Sequence, residues 1–344
     1  MNQRLRALCD LAVASAREYV GRHEYDGVVQ DLSPEGVRAG LARLGGPPEP
    51  DPHDEAHLAT FEAQARLELG ELELYRSNPL YHLGELDLSC YEREYAPAEQ
   101  RAEARRRHLA AWPDAVDAAV AALDRVSAPV AEALLPAVRG LASGLEGSGE
   151  PGTGAPENRG SGEPGTGAPE DRDPADSLAE RGLAAHARLV AHVERAAADG
   201  PPDAALGRAA LERLLSTSEA LPPDLGRLEE RADAERDRLR ALLDEACARI
   251  APGRPTTEVV VGLLADHPDA DGVLAEAREA TAEAVDFTAG RGLVPGLDGD
   301  CLVAPAPPSR RWALAMMSWA APYEPDAPSR YYISPPEPDW PAEQ

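Results

Sequence analysis

HDEAH, residues 53 to 57, is the sharpest local arrangement of chemistry-bearing side chains in this 344-residue sequence. Histidines four apart share one face of a helix, and in zinc hydrolases of the HExxH type the residue after the first histidine is a glutamate that activates water. Here Asp54 takes that place, one methylene shorter, in a first helical turn beside Pro52, and no third ligand is evident. First-turn acids with incidental histidines are therefore expected, and an active enzyme built on His53 and His57 is a remote reading that predicts stoichiometric zinc.

Other candidates are weaker. His186 and His192 lie six apart and fall on different helical faces. Glu92 and Glu94, between Tyr91 and Tyr95, would share a face only in a strand; in a turn leading to a helix they read as partners for arginine. There is no nucleophile elbow, P-loop or dinucleotide fingerprint. Cys9, Cys90, Cys247 and Cys301 are widely separated, which suits reduced thiols in a cytoplasm rather than a disulfide framework. No catalytic, cofactor-binding or metal residue is assigned.

The elements that would position any site are helical. Apolar content comes from Leu, Ala and Val, while Phe and Ile occur twice each, so strand formers are scarce. Ser33-Pro34-Glu35 and Asp51-Pro52 each read as an N-cap followed by a helix-starting proline. Leu5, Leu8, Ala12, Ala16 and Tyr19 fall on one helical stripe, a helix is predicted from about Ala98 to Ala111, and Pro113 is read as the start of another. GSGEPGTGAPENR at 147–159 is repeated at once as GSGEPGTGAPEDR, with no large apolar side chain to bury. Four regions follow: helical 1–143, a Pro/Gly-rich linker without fixed structure at 144–176, helical 177–293, and a strand-bearing end at 294–344. The fold class is mainly α, a multi-helix body with a small β region near the C-terminus.

Charge narrows the partners. Every basic residue is arginine, and the net charge of -27 opposes the phosphate attraction on which nucleic-acid binding depends. The run RAEARRRHL at 101–109 is interleaved with acids and reads as a solvated helix face. Asp10, Arg17 and Glu18 interrupt any signal-peptide core, and no apolar run is long enough to span a membrane. A cytoplasmic protein that binds neither nucleic acid nor membrane is expected, its oligomeric state open.

The last stretch, SRYYISPPEPDWPAEQ, ends on aromatic residues that normally pack against something further along. HEYDGVVQDLSPEGVRAGL (23–41), the segment from Asn78 to Val120, LGRLEERADAERDRL (225–239) and above all CLVAPAPPSRRWALAMMSWAAPYEPDAPSRYYISPPEPDWP (301–341) resemble the bacterial DUF885 family. The resemblance covers essentially everything outside the linker. It implies a zincin-like metallopeptidase body: helices around a channel, a small sheet, then an HExxH helix and a later glutamate ligand. No position here matches those ligands, so zinc is expected only with a further C-terminal half, and a peptide substrate only in a longer form. The leading expectation is the N-terminal, non-catalytic portion of such a protein, inactive by itself; the alternative is a stand-alone helical scaffold or interaction protein. The two differ in surface: a portion of an enzyme should expose apolar faces and strand edges that a settled scaffold would cover or charge.

Overall fold

The computed structural model describes residues 2–146, 174–294, 300–336 and 340. The 13-residue repeat, expected to lack fixed structure, lies outside the described residues. The chain is mainly helical with one three-stranded sheet near the C-terminus.

Helices α1 (Gln3–Cys9), α2 (Val13–Glu18), α3 (Pro34–Leu41), α4 (Pro52–Ala65) and α5 (Leu80–Leu86) open the chain. The caps read from sequence are present. Ser33 Oγ accepts from the Gly36 amide at 3.0 Å, and the Asp51 carboxylate accepts from the His53 amide at 2.7 Å, satisfying first-turn donors that have no intrahelical partner. The predicted single N-terminal stripe is instead two short helices, broken between Asp10 and Ala12. Past Ala65 the chain continues as a π-helix, Arg66–Glu71, which the apolar spacing did not reveal.

Helix α6 (Ala98–Ala122) runs through Pro113, where the sequence predicted a new start. A mid-helix proline costs about 3 kcal/mol through its lost donor and ring clash. Burial outweighs it: Trp112, Val116 and Ala119 are almost wholly enclosed on one face of that helix. They pack with α7 (Ala128–Gly140) and, after the short α8 (Ser143–Glu146), with α9 (Pro174–Asp199), whose Ala185, Leu189 and Val193 complete the main core. Helices on both sides of the repeat thus share one hydrophobic core.

The next helices are different. In α10 (Arg208–Glu219) and α13 (Val273–Arg291) no residue is buried; α11 (Leu225–Ile250) buries only Cys247 and α12 (Thr256–Leu264) only Val259. Leu239, Leu242, Leu243, Val261, Leu264 and Phe287 are all exposed.

Three strands follow, β1 (Cys301–Pro305), β2 (Ala315–Ser318) and β3 (Ser329–Ile333), all within the end of the chain where strands were expected. β3 is central, parallel to β1 with Val303 opposite Tyr331, and antiparallel to β2 with Met317 opposite Tyr331. α13 packs beside β1. The outer edge of β2 has no strand partner among the described residues.

Candidate functional site

The sheet is fixed to the helical body by buried ion pairs. A turn of 3₁₀-helix, Pro308–Arg310, carries Arg310 into the space between the end of α2 and the residue after α5. There its guanidinium donates to both oxygens of Glu18, one at 2.6 Å, and to Asp87. Asp87 also accepts from Ser309 Oγ at 3.2 Å, from the Ser89 amide at 2.9 Å and from Ser89 Oγ at 3.1 Å. Burial opposes charge on this carboxyl, but Arg310 and Ser89 outweigh it and hold it below the usual carboxylate range. Close to the same turn, Gly140 of α7 admits the Ser309 backbone: a Cβ there would meet the Ser309 carbonyl at 3.2 Å.

A second pair lies alongside. Arg93 donates to the Glu18 carbonyl at 2.9 Å and pairs with Glu324 from the loop between β2 and β3. His23 stands against Glu324, Nε2 to Oε1 at 3.1 Å, and against Asp26, Nδ1 to Oδ2 at 3.4 Å. Its ring stacks on Tyr95 at 4.1 Å between centroids. Each acid here already has a cationic or hydroxyl partner, the Tyr95 hydroxyl for Asp26 and an arginine for each of the others. The cluster's physical effect is to fix the sheet, because separating one partner would leave a buried charge uncompensated.

The junction presents aromatic side chains outward. Trp319, just after β2, meets Tyr19 in a tilted ring contact at 5.2 Å between centroids, and the Arg22 guanidinium lies over the Tyr323 ring at 4.7 Å. Trp319 and Tyr323 are both more than half exposed, and Trp312, Leu314 and Met317 are exposed around the same strand. An unpaired strand edge flanked by aromatic side chains supplies what an added extended strand requires: backbone donors and acceptors, and apolar contacts for alternate side chains.

The residues singled out from sequence are not assembled into a site. His53 and His57 are neighbours, rings 4.7 Å apart, but both are exposed on the first turns of α4. Glu55 within the motif is engaged by Arg4 at 2.6 Å, and no group of three or more metal-ligating side chains occurs among the described residues. His186 Nε2 contacts the Val138 carbonyl and His192 Nε2 the Leu123 carbonyl, each at 2.8 Å, so both tie α9 to the core. Glu92 and Glu94 are exposed, and the residue that matters lies between them: Arg93 is buried in the junction. Sequence reasoning missed Arg310, Asp87, Glu18 and Glu324. The one available signal was Ser309-Arg310 within the aromatic C-terminal block, and it names no partner.

No helix among the described residues is long and apolar enough to cross a membrane. No curated protein matches the chain. Among solved structures, one described as a "putative lipoprotein from Colwellia psychrerythraea" superposes with a TM-score of 0.62 at 11% identity, over 97% of this chain. The chain spans 66% of the length of that protein, and at this identity the likeness shows the fold alone. Residues 15–344 match the family described as "Bacterial protein of unknown function (DUF885)", and this chain belongs to that family.

Proposed function

We propose that this chain forms the non-catalytic, substrate-facing portion of a zinc metallopeptidase-like hydrolase, with the metal ligands on a further portion of the protein. The observation that carries the reading is the apolar surface of α10 to α13. Four successive helices with two buried residues among them have not found the partner that their leucines and valines require. The greater length of the structural neighbour fits such a partner. On this reading the open edge of β2 takes an extended peptide, guided by Trp312, Trp319 and Tyr323. The division at the repeat then separates two helical regions of one wall, and the four free cysteines suit a cytoplasmic setting.

The test is the intact mass and zinc content of the protein purified from its native gene. A mass well above 36.5 kDa with one zinc per chain supports the reading. A mass of 36.5 kDa without zinc removes the enzyme and leaves the scaffold alternative, in which α10 to α13 bind another protein. Displacement of a labelled extended peptide tests the strand edge separately, and a lack of saturation would remove that part.

A further inference from the structure

Within residues 2–146 only five large apolar side chains are exposed, and three of them, Leu5, Phe61 and Leu80, stand around one cavity. Its volume is about 630 Å³, within the range of small-molecule sites. α1, α2, α4, the π-helical turn and α5 surround it, and its wall is mainly leucine and alanine. No arginine or histidine is among the residues that line it.

The charge on this wall comes from two acids, and they differ. Glu85 is buried, and its oxygens accept from the Ala14 amide at 2.8 Å and the Gln30 amide at 3.0 Å. Burial pushes its carboxyl up, so it serves the fold and offers a ligand little charge. Glu68, on the π-helical turn, is half-buried. One of its oxygens accepts from Gln64 Nε2 at 2.8 Å and the other from Tyr81 Oη at 3.0 Å. Both donors are neutral. The other four glutamates between positions 55 and 73 each hold an arginine: Arg4 pairs with Glu55 and Glu62, Arg213 with Glu71 and Arg76 with Glu73. Glu68 is thus the one carboxylate of this stretch without a cation among the described residues, and it is the one on the cavity wall.

These groups define the headgroup. A carboxylate would meet Glu68 as a like charge. A hydroxyl would bond to Glu68 and leave its charge uncompensated. An ammonium supplies the missing charge and N–H donors for the lone pairs that Gln64 and Tyr81 leave open. We propose that this cavity binds an apolar molecule bearing a primary ammonium group, its nitrogen on the Glu68 carboxylate and its chain along Leu5, Phe61 and Leu80. This site is independent of the β2 edge and of any zinc chemistry.

Calorimetric titration of the full chain at pH 7 with octylammonium, 1-octanol and octanoate separates the headgroups on a common tail. Saturable one-to-one binding of octylammonium is expected, with 1-octanol and octanoate at least about tenfold weaker. Glu68→Gln should weaken octylammonium about tenfold and leave 1-octanol unchanged, which a merely structural role would not do. That substitution alters a net charge of -27 by one, so general attraction of cations to an acidic chain would hardly register it. Glu283→Gln, exposed on α13, is the matched control and should leave octylammonium affinity unaltered. Gly84→Leu should abolish binding, because a Cβ there meets only the Ala14 Cβ at 3.8 Å and the rest of the side chain fills the cavity. Absent saturation, equal affinity for octylammonium and 1-octanol, or equal losses in Glu68→Gln and Glu283→Gln would overturn the proposal. Should Gly84→Leu fail to fold, the contrast between the two glutamate variants decides it alone.

Discussion

The body built on α6, α7 and α9 and the arm formed by α10 to α13 draw on the same few residue types, yet only the body is closed. In α6 the apolar stripe meets two facing helices, and Trp112, Val116 and Ala119 vanish from the surface. In α11 Leu228, Leu239, Leu242 and Leu243 have an amphipathic arrangement of the same kind and remain about half exposed. Amphipathicity therefore states a demand for a partner, and only the body contains the partner within the described residues.

The largest effect should come from breaking the closed side. Trp112→Ala is expected to cost about 3–5 kcal/mol, whereas Leu242→Ala should cost under about 1 kcal/mol in the chain alone. Urea unfolding of both variants measures the contrast, and a large loss from Leu242→Ala would mean that the arm is covered after all.

The junction comes next. Arg310→Met leaves Glu18 and Asp87 facing each other without their shared cation, a loss of about 3–4 kcal/mol. Hydrogen exchange should show β2 and β3 losing protection before α6 and α9 do, since the arginine ties the sheet to the body. Uniform loss across both would make the junction part of the core rather than a fastening.

Acid should act on the body through its neutral histidines. Burial lowers His82 to about 4 and His108 to about 3. His108 Nε2–H donates to the Glu85 carbonyl at 2.6 Å while Nδ1 accepts from Tyr91 Oη at 3.0 Å, an arrangement that only the neutral ring satisfies. The unfolded chain takes up these protons near pH 6.5, the folded chain only near 4 and 3. Stability is therefore complete above pH 6.5 and drains as pH falls, by about 3 kcal/mol for His82 by pH 4. His82→Gln, which can still donate to the Tyr75 carbonyl, should flatten that acid limb. An unaltered limb would place the acid sensitivity elsewhere.

The two regions also differ in what a sequence can reveal. Ser33 and Asp51 cap their helices as read, because capping is settled within three residues. The strand-bearing end was legible for the same reason: proline and glycine bound its short runs. Pro113 misled because its local cost is overridden by Trp112 and Val116 packing against helices that arrive later in the chain. Arg310 is 292 residues from Glu18 and 223 from Asp87, so neither pairing leaves a periodic trace. The cavity was equally hidden: Leu5, Phe61, Glu68 and Gly84 come from separate elements, and only the fold makes them neighbours.

The smallest effect belongs to the motif with the most suggestive spelling. His53→Ala and His57→Ala should each change stability by less than about 0.5 kcal/mol and leave zinc content unaltered, because both rings are exposed on α4. Glu55 lies in the same five residues and behaves as part of the closed region. It accepts from Arg4 at 2.6 Å and from the Glu49 amide at 2.7 Å, and Arg4 with the Glu49 backbone hold its carboxyl below the usual range. Glu55→Gln should therefore destabilise more than either histidine change. Comparing the three variants by thermal unfolding asks whether HDEAH serves a metal or a helix start. Loss of zinc in His53→Ala or His57→Ala would favour the metal, whereas a larger Tm loss in Glu55→Gln with metal content unaltered identifies the motif as the point where α1 is fastened to α4.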